Sequence, residues 1–194
     1  MPRELQFNRD SALDQALDQF WSHGFNDTSM RDLAETLGVS LSSLYNTFGD
    51  KRALFLAALG HYDSLYLTAR LSTLERDYPP LEAIKVFFET VIQDCLSDPD
   101  KKGCLLVNTA LELSPHDDII EAQVRKHLDA IESFLLRALK RAKKTGELPT
   151  TVIPKDLAAQ FMATLLGIRV MARANPDARK LRAVLAGTLA HLVR

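Results

Sequence analysis

The chain has 194 residues, 46% apolar and 25% charged, which is typical of a folded globular protein and excludes a largely disordered chain. Its formal net charge of −1 gives no general electrostatic attraction to polyanions. The two cysteines cannot form a disulfide framework, and they fit a reducing compartment.

Apolar residues recur with helical period along almost the whole chain, so we predict an all-α protein. Glycine, proline and capping residues mark the ends of the helices. The predicted helices cover residues 10–23, about 28–37, 41–48, 51–74, 81–96, 104–113, 117–145, 155–174 and 177–193. The clearest break, DYPPL at 77–81, separates short front helices from longer ones. We predict a domain at 1–50, a linking helix at 51–76 and a larger helical domain at 77–194.

The second and third predicted helices, joined by the turn Gly38-Val39-Ser40, have the arrangement of a helix-turn-helix. Apolar side chains can fill the angle between the two helices, namely those of Ala34, Val39, Leu44 and Phe48. The third helix then turns a polar face outward, formed by Ser42, Ser43, Tyr45, Asn46 and Thr47. Hydroxyl and amide groups bind phosphates and base edges in the major groove, and Leu41 could contact a thymine methyl.

Two cations open the fourth predicted helix. Lys51 and Arg52 lie in its first turn, where the helix dipole disfavours positive charge by roughly 0.3–1 kcal/mol. In one interpretation, Asp50 caps the helix and the cations are solvated. In the other, which we favour because local rules are often broken at functional sites, a phosphate docks there.

The segment GFNDTSMRDLAETLGVSLSSLYNTFGDKRALFLAAL, residues 24–59, resembles the DNA-binding region of the TetR family of bacterial transcriptional regulators. The matching positions are Gly24-Phe25, Thr28-Ser29, Arg31-Asp32-Leu33-Ala34, Gly38-Val39-Ser40, Leu44-Tyr45, Phe48, Lys51 and Ala53-Leu54. The resemblance implies a regulator, most simply a repressor, with an N-terminal helix-turn-helix and a helical effector-binding and dimerisation domain. It also implies a homodimer on a pseudo-palindromic double-stranded DNA operator, with half-sites about 34 Å apart or a multiple of that.

The resemblance also assigns roles to individual residues. It implies that the polar face of the third helix contacts bases or backbone and that Tyr45 and Lys51 hold phosphates. Thr28 and Ser29 would present a helix N-terminus to a further phosphate. The full predicted set is Thr28, Ser29, Ser40, Leu41, Ser42, Ser43, Tyr45, Asn46, Thr47 and Lys51.

The chain departs from the family pattern in two respects. Leu41 and Ser42 stand where relatives commonly carry lysine and glycine. Residues 1–60 hold five cations, Arg3 among them, against eight acids, an unusual balance for a DNA-binding unit. The alternative is therefore a helical small-molecule binding protein without specific DNA binding.

Core packing explains most apolar positions after Pro80. The resemblance adds a cavity for a small-molecule effector among the middle helices and a dimer interface from the helices at 155–174 and 177–193. Small residues favour this interface because they let helices approach closely in a four-helix bundle. They are Ala158, Ala163, Gly167, Ala183, Ala186 and Gly187.

Polar groups within apolar helices are candidates for effector contacts, since pockets orient ligands with few polar groups. Asn108 and Glu112 fall one helical turn apart, and His127 lies beside an apolar stripe. Each could instead be a structural polar residue with internal partners. The predicted effector contacts are Phe88, Cys104, Asn108, Glu112, His127 and Phe161.

Cys104 follows Lys101 and Lys102 at the predicted start of a helix. A helix N-terminus and nearby ammonium groups both favour the thiolate, the reactive form of cysteine. The Gly103-Cys104-Leu105 segment also resembles a branch of the family in which some members sense electrophiles through such a cysteine. The alternative is a small buried residue, and Cys95 is either structural or a resolving partner.

Catalytic and targeting signals are missing from the sequence. It has no phosphate-cradling glycine loop, Cys-x-x-Cys, Gly-x-Ser-x-Gly or paired histidine motif, so we predict no enzyme, metal site or cofactor. An all-α enzyme using Glu112, His127 or Cys104 is the remaining alternative. The opening residues MPRELQFNRD contain no apolar run. The most apolar stretch, residues 161–172, is shorter than the ~20 residues of a membrane span and carries Arg169, so we expect a cytoplasmic protein.

Overall fold

The computed structural model describes residues 8–192, and over this range the chain is helical with no strand, which confirms the predicted all-α class. Arg3 and Val193, which entered the predictions above, lie outside the described residues. The helices are α1 (Arg9–His23), α2 (Met30–Thr36), α3 (Leu41–Phe48), α4 (Lys51–Tyr62), α5 (Ala69–Asp77), α6 (Pro80–Leu96), α7 (Leu105–Glu112), α8 (Asp118–Thr145), α9 (Pro154–Ala174) and α10 (Ala178–Leu189).

Side-chain caps fix the starts of the front helices. Ser29, Ser40 and Asp50 cap α2, α3 and α4, each accepting a hydrogen bond from a backbone N–H in the first turn. Gly24 ends α1 with φ +89°, a backbone conformation that other residues rarely adopt. These local signals explain why the end of α1 and the starts of α2, α3 and α4 could be predicted closely.

The predicted helix at 51–74 is continuous but not uniform. A π-helical turn, Asp63–Thr68, joins α4 to α5. Such a turn widens the helix locally and is frequent at functional sites. It lies on the wall of the cavity described below, where it contributes Tyr66 and Leu67.

Two clusters of buried side chains hold the molecule together. The front cluster joins α1–α4 to α7 and the first turns of α8, and the ring of Phe55 makes edge-on contacts there with the rings of Phe20 and Phe25. The rear cluster joins α5, α6, α8, α9 and α10. It includes Phe88 and Phe161, whose ring centroids are 5.7 Å apart. The front helices therefore pack directly against the start of the rear part of the chain.

Among the described helices, α9 is long and apolar enough to match a membrane span by length and composition alone, with a mean hydropathy of 1.2 over its best window. One face, which includes Leu157, Leu165 and Ile168, belongs to the rear cluster. The opposite face exposes Val170 and Met171. One face of α9 is thus buried in the core, and the opposite face is exposed to solvent.

Candidate functional site: a recognition helix and a cavity

The exposed face of α3 carries polar groups without internal partners. Leu44 and Phe48 are buried and fix the helix on the front cluster. Tyr45 is 47% exposed and Asn46 is also exposed. Over the described residues, neither side chain makes a hydrogen bond, so both remain available to an external partner. Leu41, 37% exposed, lies at the start of the same helix.

The other hydroxyls of α3 are partly occupied. Ser40 Oγ accepts from Ser43 N at 3.1 Å and donates to Ser43 Oγ at 2.8 Å. Ser42 Oγ lies 3.1 Å from Ser40 Oγ, and Thr47 Oγ1 donates to the Ser43 carbonyl at 2.8 Å. Ser40 is therefore primarily a cap. Ser42 and Ser43 keep acceptor capacity toward solvent, since a hydroxyl has two lone pairs.

The side chain of Thr28 points inward, and the presentation of a helix N-terminus to a phosphate by Thr28 and Ser29 stays a prediction. Thr28 is 1% exposed, and its Oγ1 donates to the Gly24 carbonyl at 2.7 Å. Ser29 caps α2 in a reciprocal pair with Asp32, whose carboxylate accepts from Ser29 N at 2.8 Å. The Ser29 hydrogen bonds lower the pKa of Asp32, so this carboxylate is charged and opposes a phosphate at the same helix end.

The cations of α4 face inward. Lys51 Nζ donates to the Phe25 carbonyl at 3.0 Å and lies 4.2 Å from the centroid of the Phe25 ring. Lys51 keeps two further N–H donors for a phosphate. Arg52 forms a two-point ion pair with Asp117, with Nη2 donating to Oδ1 at 2.8 Å. This pair argues against a phosphate at Arg52, since a protein carboxylate already offsets the unfavourable helix dipole.

Asp117 has two functions in that ion pair. It caps α8 by accepting from the N–H groups of Ile119 and Ile120 at 3.0 and 3.1 Å. The Arg52 hydrogen bond and these backbone donors hold the pKa of Asp117 well below its usual range. The ion pair therefore joins α4 of the front part to the start of α8.

Glu112 makes a second connection between the front and rear parts. Its carboxylate accepts from Phe25 N at 3.2 Å and Asn26 N at 2.7 Å, in the loop after α1. A Cβ at Gly24 would lie 3.3 Å from Glu112 Oε2, so glycine also makes room for this contact. The carboxylate that we expected to contact an effector instead binds the backbone of the loop after α1.

A cavity of about 620 Å³ lies where α1, α4, α6, α8 and α9 meet, a size typical of small-molecule sites. Of the six predicted effector contacts, Cys104 lies on its wall. Phe88 and Phe161 are fully buried in the rear cluster instead. Asn108 Nδ2 donates to the Lys102 carbonyl at 2.9 Å.

His127 is buried outside the cavity wall. It is 1% exposed, with Nε2 3.6 Å from Asp63 Oδ2, and neither ring nitrogen has a hydrogen-bond partner among the described residues. Burial lowers the pKa of His127, although the Asp63 charge opposes this shift. His127 is thus a buried histidine held mainly neutral rather than a group aimed at a ligand.

Arg169 is a residue of the cavity wall that was not among the predicted site residues. Its guanidinium lines the cavity, its side chain is 14% exposed, and its Nη1 donates to Cys95 Sγ at 3.6 Å. The available signal was an arginine inside the most apolar stretch of the chain. That observation had served only as evidence against a membrane span.

A helix-turn-helix with an exposed polar face, packed against a helical body that contains a cavity, is the architecture of a class of helical transcriptional regulators. Residues 12–58 match the sequence model of bacterial regulatory proteins of the tetR family, and residues 80–188 match that of the tetracyclin repressor-like C-terminal domain. The chain belongs to the TetR family of transcriptional regulators.

Individual relatives agree over nearly the full chain. YezE of Bacillus subtilis, an uncharacterised HTH-type transcriptional regulator, is 30% identical over 184 residues, 94% of each chain. The HTH-type transcriptional repressor ComR of Escherichia coli is 29% identical, covering 96% of this chain and 90% of ComR. A cysteine mutant of the TetR-family regulator CifR, solved in complex with 26-bp double-strand operator DNA, is 27% identical, with a TM-score of 0.85 over 98% of each chain.

Proposed function

We propose that this protein is a homodimeric repressor that binds an operator through α3 and leaves it when an effector occupies the cavity. The observation that carries the proposal is the face of α3, where Tyr45 and Asn46 project without internal partners from a helix fixed by Leu44 and Phe48. The repressor ComR and the complex of CifR with operator DNA support it. DNA binding would place the protein in the cytoplasm, as a regulator and not an enzyme.

The uncovered faces of α9 and α10 are the proposed dimer interface. Ala163, Ala183, Ala186 and Gly187 are exposed, and a Cβ at Gly187 would meet nothing within 4 Å. Val170 adds exposed apolar surface. Ala158, which we expected in the interface, is fully buried in the rear cluster and is not part of this surface. Small residues on both helices allow the close approach that a four-helix bundle needs.

Helix α7 provides a physical connection from cavity to DNA. Its N-cap Cys104 and its Leu106 line the cavity, while Glu112 in its last turn holds the loop between α1 and α2. We propose that an effector displaces α7 and, with it, the start of α8, where Asp117 binds Arg52 in α4. Release follows only if the effector binds the displaced arrangement more tightly than the DNA-binding one.

Modification of Cys104 is a second route to release. Its side chain is half-buried on the cavity wall, within reach of a small electrophile that enters. Of the two expected ammonium neighbours, Lys102 is paired with Asp18 at 2.6 Å. Operator release by an electrophile such as N-ethylmaleimide, compared with the Cys104→Ser variant, tests this route. Equal release of both forms would remove it.

One observation favours the alternative of a small-molecule binder without specific DNA binding. Residues 1–60 have an excess of acids, and Lys51 and Arg52, two of the few cations, have intramolecular partners. Affinity for DNA must then depend largely on neutral donors of α3 and on the remaining cations.

Recovery of genomic DNA fragments on the immobilised protein separates the two functions. We expect wild type to enrich a small set of fragments, and Tyr45→Ala/Asn46→Ala to enrich none. Lys140→Ala, which removes an exposed cation from α8, is the matched control and should enrich the same fragments as wild type. Equal recovery by all three proteins would contradict a DNA-reading role for α3.

A further inference from the structure

Arg169 is a buried charge with an incomplete set of partners. A guanidinium has five N–H donors, but over the described residues the only acceptor in hydrogen-bond contact with Arg169 is Cys95 Sγ at 3.6 Å. Burial raises the pKa of the Cys95 thiol, so Cys95 does not supply a negative charge. A buried charge without a close counter-charge is costly.

The nearest carboxylate is shared with another arginine. Asp94 Oδ2 lies 4.0 Å from Arg169 Nη2, beyond hydrogen-bond distance, but only 2.7 Å from Arg70 Nη1. Two guanidinium groups thus face one carboxylate. A further negative charge in this part of the cavity would therefore balance the second guanidinium group.

Two of the other acids on the wall, Asp18 and Asp98, already have partners. Asp18 accepts from Lys102 Nζ at 2.6 Å, and Asp98 accepts from the backbone N–H groups of Asp100 and Lys102. Five cationic side chains line the cavity against four acidic ones. The excess of one positive charge in the lining is therefore consistent with the incomplete pairing of Arg169.

The rest of the cavity suits an apolar group with one polar end. The ring of Tyr62 contacts those of Trp21 and Tyr66, with centroids 5.7 Å apart in each case, and Phe87 and Leu165 extend this wall. The Tyr62 hydroxyl makes no hydrogen bond to a described residue. Because burial raises the pKa of Tyr62, this hydroxyl stays protonated and can donate.

From this arrangement we infer that the cavity takes a small amphipathic monocarboxylate, whose carboxylate pairs with Arg169 and whose apolar part lies against the Tyr62 and Phe87 wall. A cation would be repelled by Arg169, and a neutral ligand would bury that guanidinium without a counter-charge. A carboxylate matches the planar guanidinium with two parallel hydrogen bonds. The inference rests on the proposed function only in treating this ligand as the effector.

Matched acids and amides test the charge requirement on the wild-type dimer without DNA. The probes are 4-phenylbutanoate with 4-phenylbutanamide and octanoate with octanamide, measured by isothermal titration calorimetry. We expect each acid to bind at least about tenfold more tightly than its amide, as a charge-assisted pair in a buried site would give. Equal or tighter binding of the amides, or no binding of either acid at millimolar concentration, would overturn the inference.

Two variants locate the anion-binding group. Arg169→Met removes the buried charge at similar length and should abolish the preference for acid over amide. Arg173→Met is the matched control, because Arg173 lines the same cavity but is exposed and, among the described residues, donates only to the Lys102 carbonyl, at 3.2 Å. It should keep the tenfold preference. A preference retained in Arg169→Met, with native circular dichroism, would also overturn the inference.

DNA release is measured separately, by fluorescence anisotropy of an operator fragment in the presence of the acid. Acid binding without release would leave the monocarboxylate site standing and contradict the proposed regulatory coupling. Release by a ligand that shows no preference for a carboxylate would support the regulatory coupling and contradict the monocarboxylate site.

Discussion

The front and rear parts of this molecule place their charges in opposite ways. In the front part, Lys51 and Arg52 turn inward to protein partners, and neutral side chains of α3 project outward. In the rear part, Arg169 lines a cavity, and the outer faces of α9 and α10 expose small residues that include Ala163, Ala186 and Gly187. The outward surface of the front part is therefore suited to hydrogen bonding, and that of the rear part to protein association.

This contrast predicts that substitutions on the outer faces of α9 and α10 have the largest effect on operator affinity. Arginine at two exposed small positions, Ala163→Arg with Gly187→Arg, should convert the dimer to a folded monomer. Because the second half-site contact is then no longer intramolecular, operator affinity should fall by at least about 100-fold. Light scattering after size exclusion and fluorescence anisotropy measure the two effects.

Ala122→Arg is the control, since this position is exposed on α8. It should leave both the dimer and the operator affinity unchanged. A dimer that persists in the double variant would place the interface elsewhere.

A single side chain of α3 should have the next largest effect. Asn46→Ala removes a donor and an acceptor that contact nothing in the described chain, so folding stability should change by less than about 0.5 kcal/mol. If Asn46 reads a base edge, operator affinity should fall by about 1–3 kcal/mol for each half-site, and discrimination at one base pair should relax. Asn46 variants that bind and discriminate like wild type would show that α3 does not read bases through this residue.

How much of this could be predicted from sequence differs between the two parts. The caps Ser29, Ser40 and Asp50 lie within a few residues of the N–H groups they satisfy, so local patterns were enough to predict α2, α3 and α4. The exposed face of α3 followed from the same spacing. The ion pair of Arg52 was not predicted, because its partner Asp117 lies 65 residues away.

The cavity could not be read from the sequence for the same reason. Arg169 becomes a site residue only when α4, α6 and α9 meet around it. Glu112 binds the backbone of the loop after α1, and its partner Asn26 lies 86 residues away in the sequence. Phe88 and Phe161 had the right composition for a pocket wall but are in the core. For Asn108 and Glu112, polarity within an apolar helix indicated a residue with a hydrogen-bond partner, without indicating which partner.

Glu112 tests the connection between the two parts. Glu112→Gln keeps one carbonyl oxygen but turns an amide N–H toward Phe25 N or Asn26 N, so one backbone donor loses its acceptor. We expect a loss of about 1–2 kcal/mol in the free energy of unfolding, measured by urea denaturation. Operator affinity should become less sensitive to effector, because α7 then holds the loop through one hydrogen bond instead of two. Unchanged effector sensitivity would contradict the route through α7.

Lys51 and Arg52 should differ in the salt dependence of operator binding. If Lys51 contacts one phosphate in each subunit, Lys51→Ala should lower the log–log salt slope of the dimer by about 2. Arg52→Ala should leave the slope unchanged, because its guanidinium is paired with Asp117. It should cost at most about 1 kcal/mol of stability, since the pair is partly exposed. A fall in slope for Arg52→Ala would show that the ion pair opens on DNA.

Substitution of His127 should give the smallest effect, a change in the pH dependence of stability that comes from the rear part of the molecule. Burial places the pKa of folded His127 below its ordinary value of about 6.5, so the unfolded chain binds more protons below that pH. Its contribution to stability is complete above about pH 6.5 and is lost as the pH falls toward the folded pKa.

His127→Leu should therefore flatten the dependence of unfolding free energy on pH below about 6.5, measured in urea at several pH values. Asp63 keeps partners in this variant, since Thr68 Oγ1 donates to it at 3.1 Å and Lys126 lies 3.9 Å away. His116→Leu, at an exposed position, is the control and should keep the wild-type slope. If the His127 variant loses stability on acidification as steeply as the control, other groups govern the acid response. The buried histidine would then be held in place without sensing pH.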